Sequence, residues 1–286
     1  MKSGKKIVAA RKKNRKLLGF VMKYLRTNKK EARATGKIYK GVPTVKFRQV
    51  IAQNIIELEQ FLNSKLMRDI HGNIVEPIGE GSYGLVFGLE NGNVVKITQD
   101  QTEGANALFI RGLQRKNKFI QQSTARISRV GKILDKKGQC FNVIEREYIE
   151  YRPNLLPIGI EYGTGTFVDN MSSACFEDDE NERSLLMDVA RKGLDYFKKD
   201  YPALYYTFNY TWDKGLPLID ATANNIGVRV KKSGKYTKSG NIIIFDFGHG
   251  NHMRSCWKIL IQDSVGTNVK PRNVLKKFEK RIPLIK

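Results

Sequence analysis

Between Ile78 and Thr98 the chain reads I-G-E-G-S-Y-G-L-V-F-G-L-E-N-G-N-V-V-K-I-T, apolar positions alternating with polar ones around a cluster of glycines. Short runs of period two predict β-strands, here over Ile74–Glu80, Leu85–Leu89 and Val94–Thr98, with a two-residue hairpin turn at Asn91-Gly92. Upstream, Val50, Ile51, Ile55, Leu58, Phe61, Leu62 and Leu66 recur at three and four, which predicts a helix within Val45–Leu66 packed on the core. Downstream, a helical pattern runs through Ala107, Leu108, Phe109, Leu113 and Phe119. Strands are expected over Ile127–Leu134 and Cys140–Ile144, joined by a turn at Asp135-Lys136-Lys137-Gly138. From Ile74 to Ile144 the chain thus predicts five strands and one helix.

The second half is less regular. Residues 151–180 are Gly-, Pro- and Asn-containing, end in the acidic run Glu177–Glu180, and read as loop. Helical spacing returns over Glu182–Lys199 through Leu185, Leu186, Val189, Leu194 and Phe197, and Pro202 bars simple continuation. Tyr205, Tyr206, Phe208, Tyr210 and Trp212 are dense enough to imitate a base-stacking platform, but core packing is the stronger reading because aromatics supply much of a domain's buried area. Ile226–Val230 and Ile242–Phe245 read as strands flanking a turn-rich insert, Lys231–Asn241.

Charge changes the picture at the ends only. The 286 residues carry a net +23, and 17 basic residues against Glu31 alone place +16 of it in 1–48. Seven basic residues against Glu279 place +6 in 266–286, which leaves 49–265 near neutral at +1. Such blocks suit arms that bind polyanions; a nucleic acid held non-specifically through its phosphates is the sharper reading and a solvated tail the plain one. Cys140, Cys175 and Cys256 stand at no metal-ligand spacing and point to a reducing, cytoplasmic setting. No run of 18 apolar residues exists, so no membrane partner is expected.

Gly79-Glu80-Gly81-Ser82-Tyr83-Gly84-Leu85-Val86 fits G-x-G-x-x-G-x-V. A dinucleotide fingerprint needs a helix to start at the last glycine, and here Leu85–Leu89 reads as strand. No G-x-x-x-x-G-K-[ST] occurs. What remains is a glycine lid over phosphates with a cation, Lys96, on the following strand. Further on, Asp220 and Asn225 stand five apart before a strand, and Asp246-Phe247-Gly248 closes another.

In this order the pieces resemble the protein kinase superfamily over about 74–250: Gly-rich loop, lysine in Val94-Val95-Lys96-Ile97, D-x-x-x-x-N and D-F-G. The resemblance implies an α+β, bilobal fold with a five-stranded N-lobe sheet plus helix and a reduced, mainly helical C-lobe. The implied domains are a basic extension over 1–44, a packed helix over 45–72, the N-lobe over 73–148, and the C-lobe with its basic tail over 149–286.

It also implies Mg2+ and ATP as cofactors. Ile78, Gly79, Glu80, Gly81, Ser82, Tyr83, Gly84 and Val86 would cover the nucleotide, and Lys96 would contact the α/β-phosphates. Glu103, the only acid between Asp100 and Asp135, would hold that lysine, although seven residues is a short separation for the family. Glu145-Arg146-Glu147-Tyr148 would be the hinge pairing with adenine, Asn225 and Asp246 the metal ligands, and Asp220 the base toward an acceptor hydroxyl.

The departures are specific. Leu218-Ile219-Asp220 replaces the usual His-Arg-Asp, Thr222 stands where Ser/Thr members carry a lysine, and no A-P-E triplet follows. Only 38 residues follow Gly248 (286 − 248). The chain is therefore similar to the compact kinases of viruses and phages, and an ATP-dependent protein (Ser/Thr) kinase is the expected activity. Reduced lipid, antibiotic or sugar kinases of the same superfold stay open, as does a kinase-like scaffold working through its basic tails.

Overall fold

The computed structural model describes residues 44–81, 83–150, 158–175, 177, 179–196, 198–213, 218, 221, 225–229, 242–248 and 278–286. All belong to one unit, Thr44–Lys286. The extension before Thr44 and the insert 231–241 lie outside the described residues.

The expected first helix is two. α1 (Thr44–Gln53) and α2 (Ile55–Leu62) meet at Asn54, whose side chain donates to the carbonyls of Val50 at 2.8 Å and Leu134 at 3.1 Å. An Asn able to satisfy backbone groups locally competes with helix continuation. Asn63, at φ 51°, then ends α2 in the left-handed conformation. The apolar stripe still does what its spacing demands: Val50, Ile51, Leu58 and Leu62 are buried.

These helices cover one face of an antiparallel sheet of β1 (Gly79–Gly81), β2 (Gly84–Gly88), β3 (Asn93–Thr98), β4 (Ile127–Leu134) and β5 (Cys140–Glu147), ordered β1-β2-β3-β5-β4. The first strand is shorter than expected because Ile74 bridges Arg68 instead, around a turn capped by the Asp69 carboxylate. The β2–β3 turn is wider than two residues. The Gly92 amide donates to Leu89 O at 3.0 Å, and Gly92 takes φ +82°, a turn followed by a left-handed glycine.

On the other face lies α3 (Gln101–Gln114), capped by Asp100, which accepts from the Thr102 amide. The helical pattern through Phe119 breaks at Asn117, whose side-chain Oδ1 accepts from the Phe119 amide and caps a separate α4 (Lys118–Ser123). The following segment joins the lobes: the Ala125 amide donates to Ile244 O at 2.8 Å.

Three helices come next, α5 (Ile158–Cys175), α6 (Glu180–Asp195) and α7 (Pro202–Asp213), and then a two-stranded hairpin of β6 (Ile226–Val228) and β7 (Ile242–Ile244). α5 corrects the expectation of loop over 151–180. Its glycines and Ser/Thr residues are poor helix formers, but Ile160, Thr164, Phe167, Met171 and Ala174 form one buried stripe at spacings of three and four. Tertiary packing supplies what propensity lacks. α6 lies so close that a Cβ on Gly193 would stand 2.9 Å from Gly163 O. The α7 aromatics are core, not platform: Phe208 and Trp212 pack around Phe167 at centroid distances of 5.0 and 5.8 Å.

The chain's end also departs from expectation. The last part of the basic C-terminal segment is no free arm, because it lies along the outer edge of β4. The Lys132 amide donates to Pro283 O and the Ile285 amide to Lys132 O, both at 2.9 Å, and Ile282 and Ile285 are buried. An exposed edge strand is a hazard that such cover removes. Ile285→Ala should therefore lower unfolding stability by about 2 kcal/mol or more, the usual loss for truncating a buried Ile. Urea denaturation checks this, and an unchanged midpoint would mean that the C-terminus is not seated.

Candidate active site

The glycine hairpin is held down from beneath. Gly79 pairs with Val86, Glu80 with Leu85, and Gly81 with Gly84, while Ser82 lies outside the described residues. Tyr83 O accepts from the Gln99 amide at 2.8 Å and from Thr98 Oγ1 at 3.1 Å. A Cβ on Gly84 would fall 2.6 Å from Ile97 O, so this glycine is needed for the fit of β2 on β3 as well as for any ligand above it. Ile78 is half exposed at the hairpin's entrance, its amide donating to Val86 O.

Beneath the hairpin, Lys96 sits opposite Val86 on one side and Ile144 on the other, its side chain turned to the α3 face. Its Nζ lies 2.6 Å from Glu103 Oε1 and 2.6 Å from Asp246 Oδ2. The short separation from Lys96 to Glu103 works because β3 ends at Thr98 and α3 starts at Gln101, so the helix's first turn stands directly over the lysine. Asp100 and Glu103 have capping-box spacing, yet Glu103 turns to the lysine.

Asp246 follows β7. The β6–β7 pairing, extended by the Phe245 amide donating to Asn225 O at 3.0 Å, sets Asn225 beside the segment that carries Asp246. The other carboxylate oxygen of Asp246 accepts from the Gly248 amide at 3.1 Å. Asp220 lies outside the described residues. Its neighbours Leu218 and Ala221 are buried, and the Ala221 amide donates to Leu218 O at 3.2 Å.

The electrostatics follow from one cation shared by two acids. Burial pushes the Glu103 carboxyl up, and the Asp246 charge adds to this against the pull of Lys96, so that it reaches about 8. Burial would raise Asp246 too, but the Lys96 charge and the hydrogen bonds from Lys96, Glu103 and the Gly248 amide hold it below the usual carboxylate range. Burial opposes the charge on Lys96, and the two acids more than reverse that, holding its pKa above the ordinary lysine value.

Glu145 is placed elsewhere than expected. Its carboxylate points to the sheet's other face, bonded to Arg129 at 2.7 Å and to Asn93 Nδ2 at 2.8 Å. β5 is also paired on both sides through Arg146, so its backbone there belongs to the sheet. The connection between lobes falls at Glu147–Glu150, where the Val228 amide donates to Glu150 O and Arg229 pairs with Glu147. The sheet's extra residues moved the hinge.

Asn106 escaped the sequence reading, and Arg146 entered it only as part of the expected hinge. Asn106, fully buried on α3, donates from Nδ2 to Phe247 O at 2.7 Å and so ties the D-F-G segment to the helix that carries Glu103. Arg146 shares the α3 face of the sheet with Lys96 and packs its guanidinium on the Phe245 ring, 5.1 Å from the centroid. Asn106 stands three residues after Glu103 and so shares its helix face, which was the one available signal.

The architecture is α+β and protein-kinase-like, with the glycine hairpin, strand lysine, helix glutamate and D-F-G segment meeting at one point. No family model matches the chain, and no curated protein matches it. Among solved structures it is similar to the GDP and kanamycin complex of APH(2")-IIia, at 10% identity over 80% of this chain and 86% of the other with a TM-score of 0.30. It is similar also to the GDP complex of wild-type aminoglycoside 2'-phosphotransferase-IIIa, at 10% identity over 84% and 90% with a TM-score of 0.32. The GDP complex of that protein's F108L mutant gives 11% over 80% and 87% with a TM-score of 0.30.

Among the described residues no cluster of three or more His, Cys, Asp or Glu could hold a metal, and no helix is long and apolar enough to cross a membrane. One carboxylate and one amide, Asp246 and Asn225, nevertheless suit Mg2+, which takes few protein oxygens and fills its sphere with phosphate and water.

The raised Glu103 carboxyl has a consequence for pH. A group whose folded pKa lies above its ordinary 4.5 stabilises fully below that value and loses this contribution as pH climbs through about 8. Asp246, depressed, acts only as pH falls below its ordinary 3.8. Without metal or nucleotide, the wild-type melting temperature minus that of Glu103→Gln should therefore decline from pH 5 to pH 8. Parallel melting curves across that range would contradict the buried, protonated carboxyl.

Proposed function

We propose that the chain is a phosphotransferase that moves the γ-phosphate of a Mg2+-bound nucleoside triphosphate to a hydroxyl. The observation that carries this reading is the placement of Lys96 Nζ 2.6 Å from both Glu103 and Asp246, beneath the glycine hairpin. Phosphoryl transfer asks a protein for positioning and charge stabilisation, which a lysine, a metal-holding acid and a backbone lid supply.

Nucleotide entry would draw Lys96 from Asp246 onto phosphate oxygens, with Glu103 keeping the ammonium in place. Asp246, released, and Asn225 would hold Mg2+, which supplies neutralisation of charge on the phosphates. The hairpin amides of Gly79–Gly84 would lie over the phosphates and exclude water. Asp220 would orient the acceptor hydroxyl and take its proton.

For the acceptor, the leading reading is a protein Ser or Thr hydroxyl, on the resemblance of the D-x-x-x-x-N and D-F-G segments, in a compact enzyme of the viral and phage kind. A small hydroxylated acceptor, as in the lipid, antibiotic or sugar kinases of the same superfold, is the alternative. The competing class is a scaffold acting on polyanions through the basic extension, but two acids converging on one buried lysine are expensive to retain without a ligand.

Transfer of labelled γ-phosphate from Mg2+-ATP and Mg2+-GTP to generic proteins, to the protein itself and to aminoglycosides or sugars separates these readings. Asp220→Asn should lower kcat by about 10²–10⁴-fold with nucleotide affinity nearly intact, the usual share of a positioned base. Asp246→Asn should instead weaken Mg2+-nucleotide binding. Near-normal turnover in Asp220→Asn would remove that residue from the chemistry. Absence of transfer to every acceptor, alongside salt-sensitive nucleic-acid binding, would favour the scaffold.

A further inference from the structure

Arg146 is a charged side chain at the cleft to which the proposed chemistry assigns no role. It is only 7% exposed. Its contacts are the Phe245 ring and a long bond, 3.4 Å, from Nη1 to the neighbouring Glu147 carbonyl. Among the described residues no carboxylate lies within ion-pairing distance of it: the two acids nearest the cleft, Glu103 and Asp246, are both taken by Lys96. A guanidinium is always charged, carries five donors and no acceptor, and loses several kcal/mol of hydration when buried. Asp246, Glu103 and Glu147 lie near enough to favour its charge, yet among the described residues none of their carboxylates takes its N–H donors, and a guanidinium so placed suits an acceptor that arrives with the ligand.

Strand register shows which part of the ligand that is. Along β3, Thr98 pairs with Gly84 and Asn142, Lys96 with Val86 and Ile144, and Val94 with Gly88 and Arg146. The tip of the glycine hairpin therefore stands at the Thr98 end, and the connection between lobes at the Val94 end. Arg146 lies two residues beyond the partner of Lys96 toward that connection, about 7 Å along the strand at ~3.3 Å per residue. A nucleotide with its phosphates on Lys96 beneath the hairpin has its base, not its phosphates, at Arg146.

We propose that Arg146 reads the base, and that the site takes a 6-oxopurine nucleotide, guanine or hypoxanthine, in preference to adenine. The inference rests on the phosphotransferase reading and refines the expectation of ATP. At position 6 guanine and hypoxanthine present a carbonyl acceptor, whereas adenine presents an amino donor. Arginine donating to the O6 and N7 of guanine is the commonest specific contact of this side chain with bases. Adenine in the same place would set donor against donor in a buried setting and leave both unsatisfied. Sites built around one hydrogen bond reject the ligand that cannot make it far more strongly than apolar pockets reject a change of size.

The test is a binding panel on the full chain with Mg2+, by calorimetry or thermal shift, using GTP, ITP and ATP. ITP keeps the 6-oxo group and lacks the 2-amino group, so it isolates the atom in question. In the wild type, GTP and ITP should both bind at least about tenfold more tightly than ATP. Arg146→Met, which keeps the apolar stem on Phe245 and removes the donors, should bring the three to near parity. A merely structural arginine would weaken all three alike and keep their ratio.

Equal affinity for ATP and ITP in the wild type overturns the inference without any variant. Tight GTP with ITP as weak as ATP overturns it too, since the 2-amino group would then be what is read. Binding of none of the three would sink the nucleotide reading itself, and this inference with it.

Discussion

A single buried ammonium organises this protein. Lys96 on β3, Glu103 on α3 and Asp246 after β7 come from three separate parts of the chain, and they meet within hydrogen-bonding distance of one nitrogen. Their side chains are 11%, 4% and 22% exposed, so the charges have been taken largely out of water. Desolvation of that kind costs several kcal/mol per ion, and mutual attraction returns it only when geometry is good. Two acids against one base leave an excess that the fold accommodates by raising Glu103. The arrangement makes poor sense as a stabilising device, and under the proposed function it is a site prepared for a cation and an anion arriving together.

Much of the surrounding structure serves to hold those three groups in place. Asp100 caps α3 so that its first turn covers Lys96, and Asn142 reaches from β5 to the Asp100 carbonyl at 2.9 Å. Asn106 binds the D-F-G segment to the same helix. On the sheet's far side, Glu145 with Arg129 and Asn93 braces β3, β4 and β5 from below. A shift of α3 would therefore move Glu103 and Phe247 together.

What could be read from one dimension was whatever rests on local periodicity. The β2–β3 hairpin, the lysine on its second strand and the apolar strand running into Asp246 are local patterns, and they stand where the alternation puts them. What could not be read depends on contacts between distant segments. α5 forms although Gly163, Gly165 and Ser173 argue against it, because Phe167 packs on Phe208 and Trp212 of α7, Met171 is buried in the same cluster, and α6 needs a close backbone. Asn54 breaks a helix by bonding Leu134, eighty residues away. The C-terminal residues look like a basic tail until Ile282 and Ile285 are seen against β4. Asn106 and Arg146 are polar letters in sequence, and only burial shows that they belong to the site.

The central claim, that Lys96 and Glu103 act as one unit, is tested most directly by a double-mutant cycle on Mg2+-nucleotide binding with Lys96→Ala, Glu103→Ala and the double variant. Residues sharing one charge network show interaction energies of about 0.5–3 kcal/mol. The account predicts coupling in that range, with the second substitution costing much less once the first is made. Strictly additive losses would contradict it and take Glu103 out of the site.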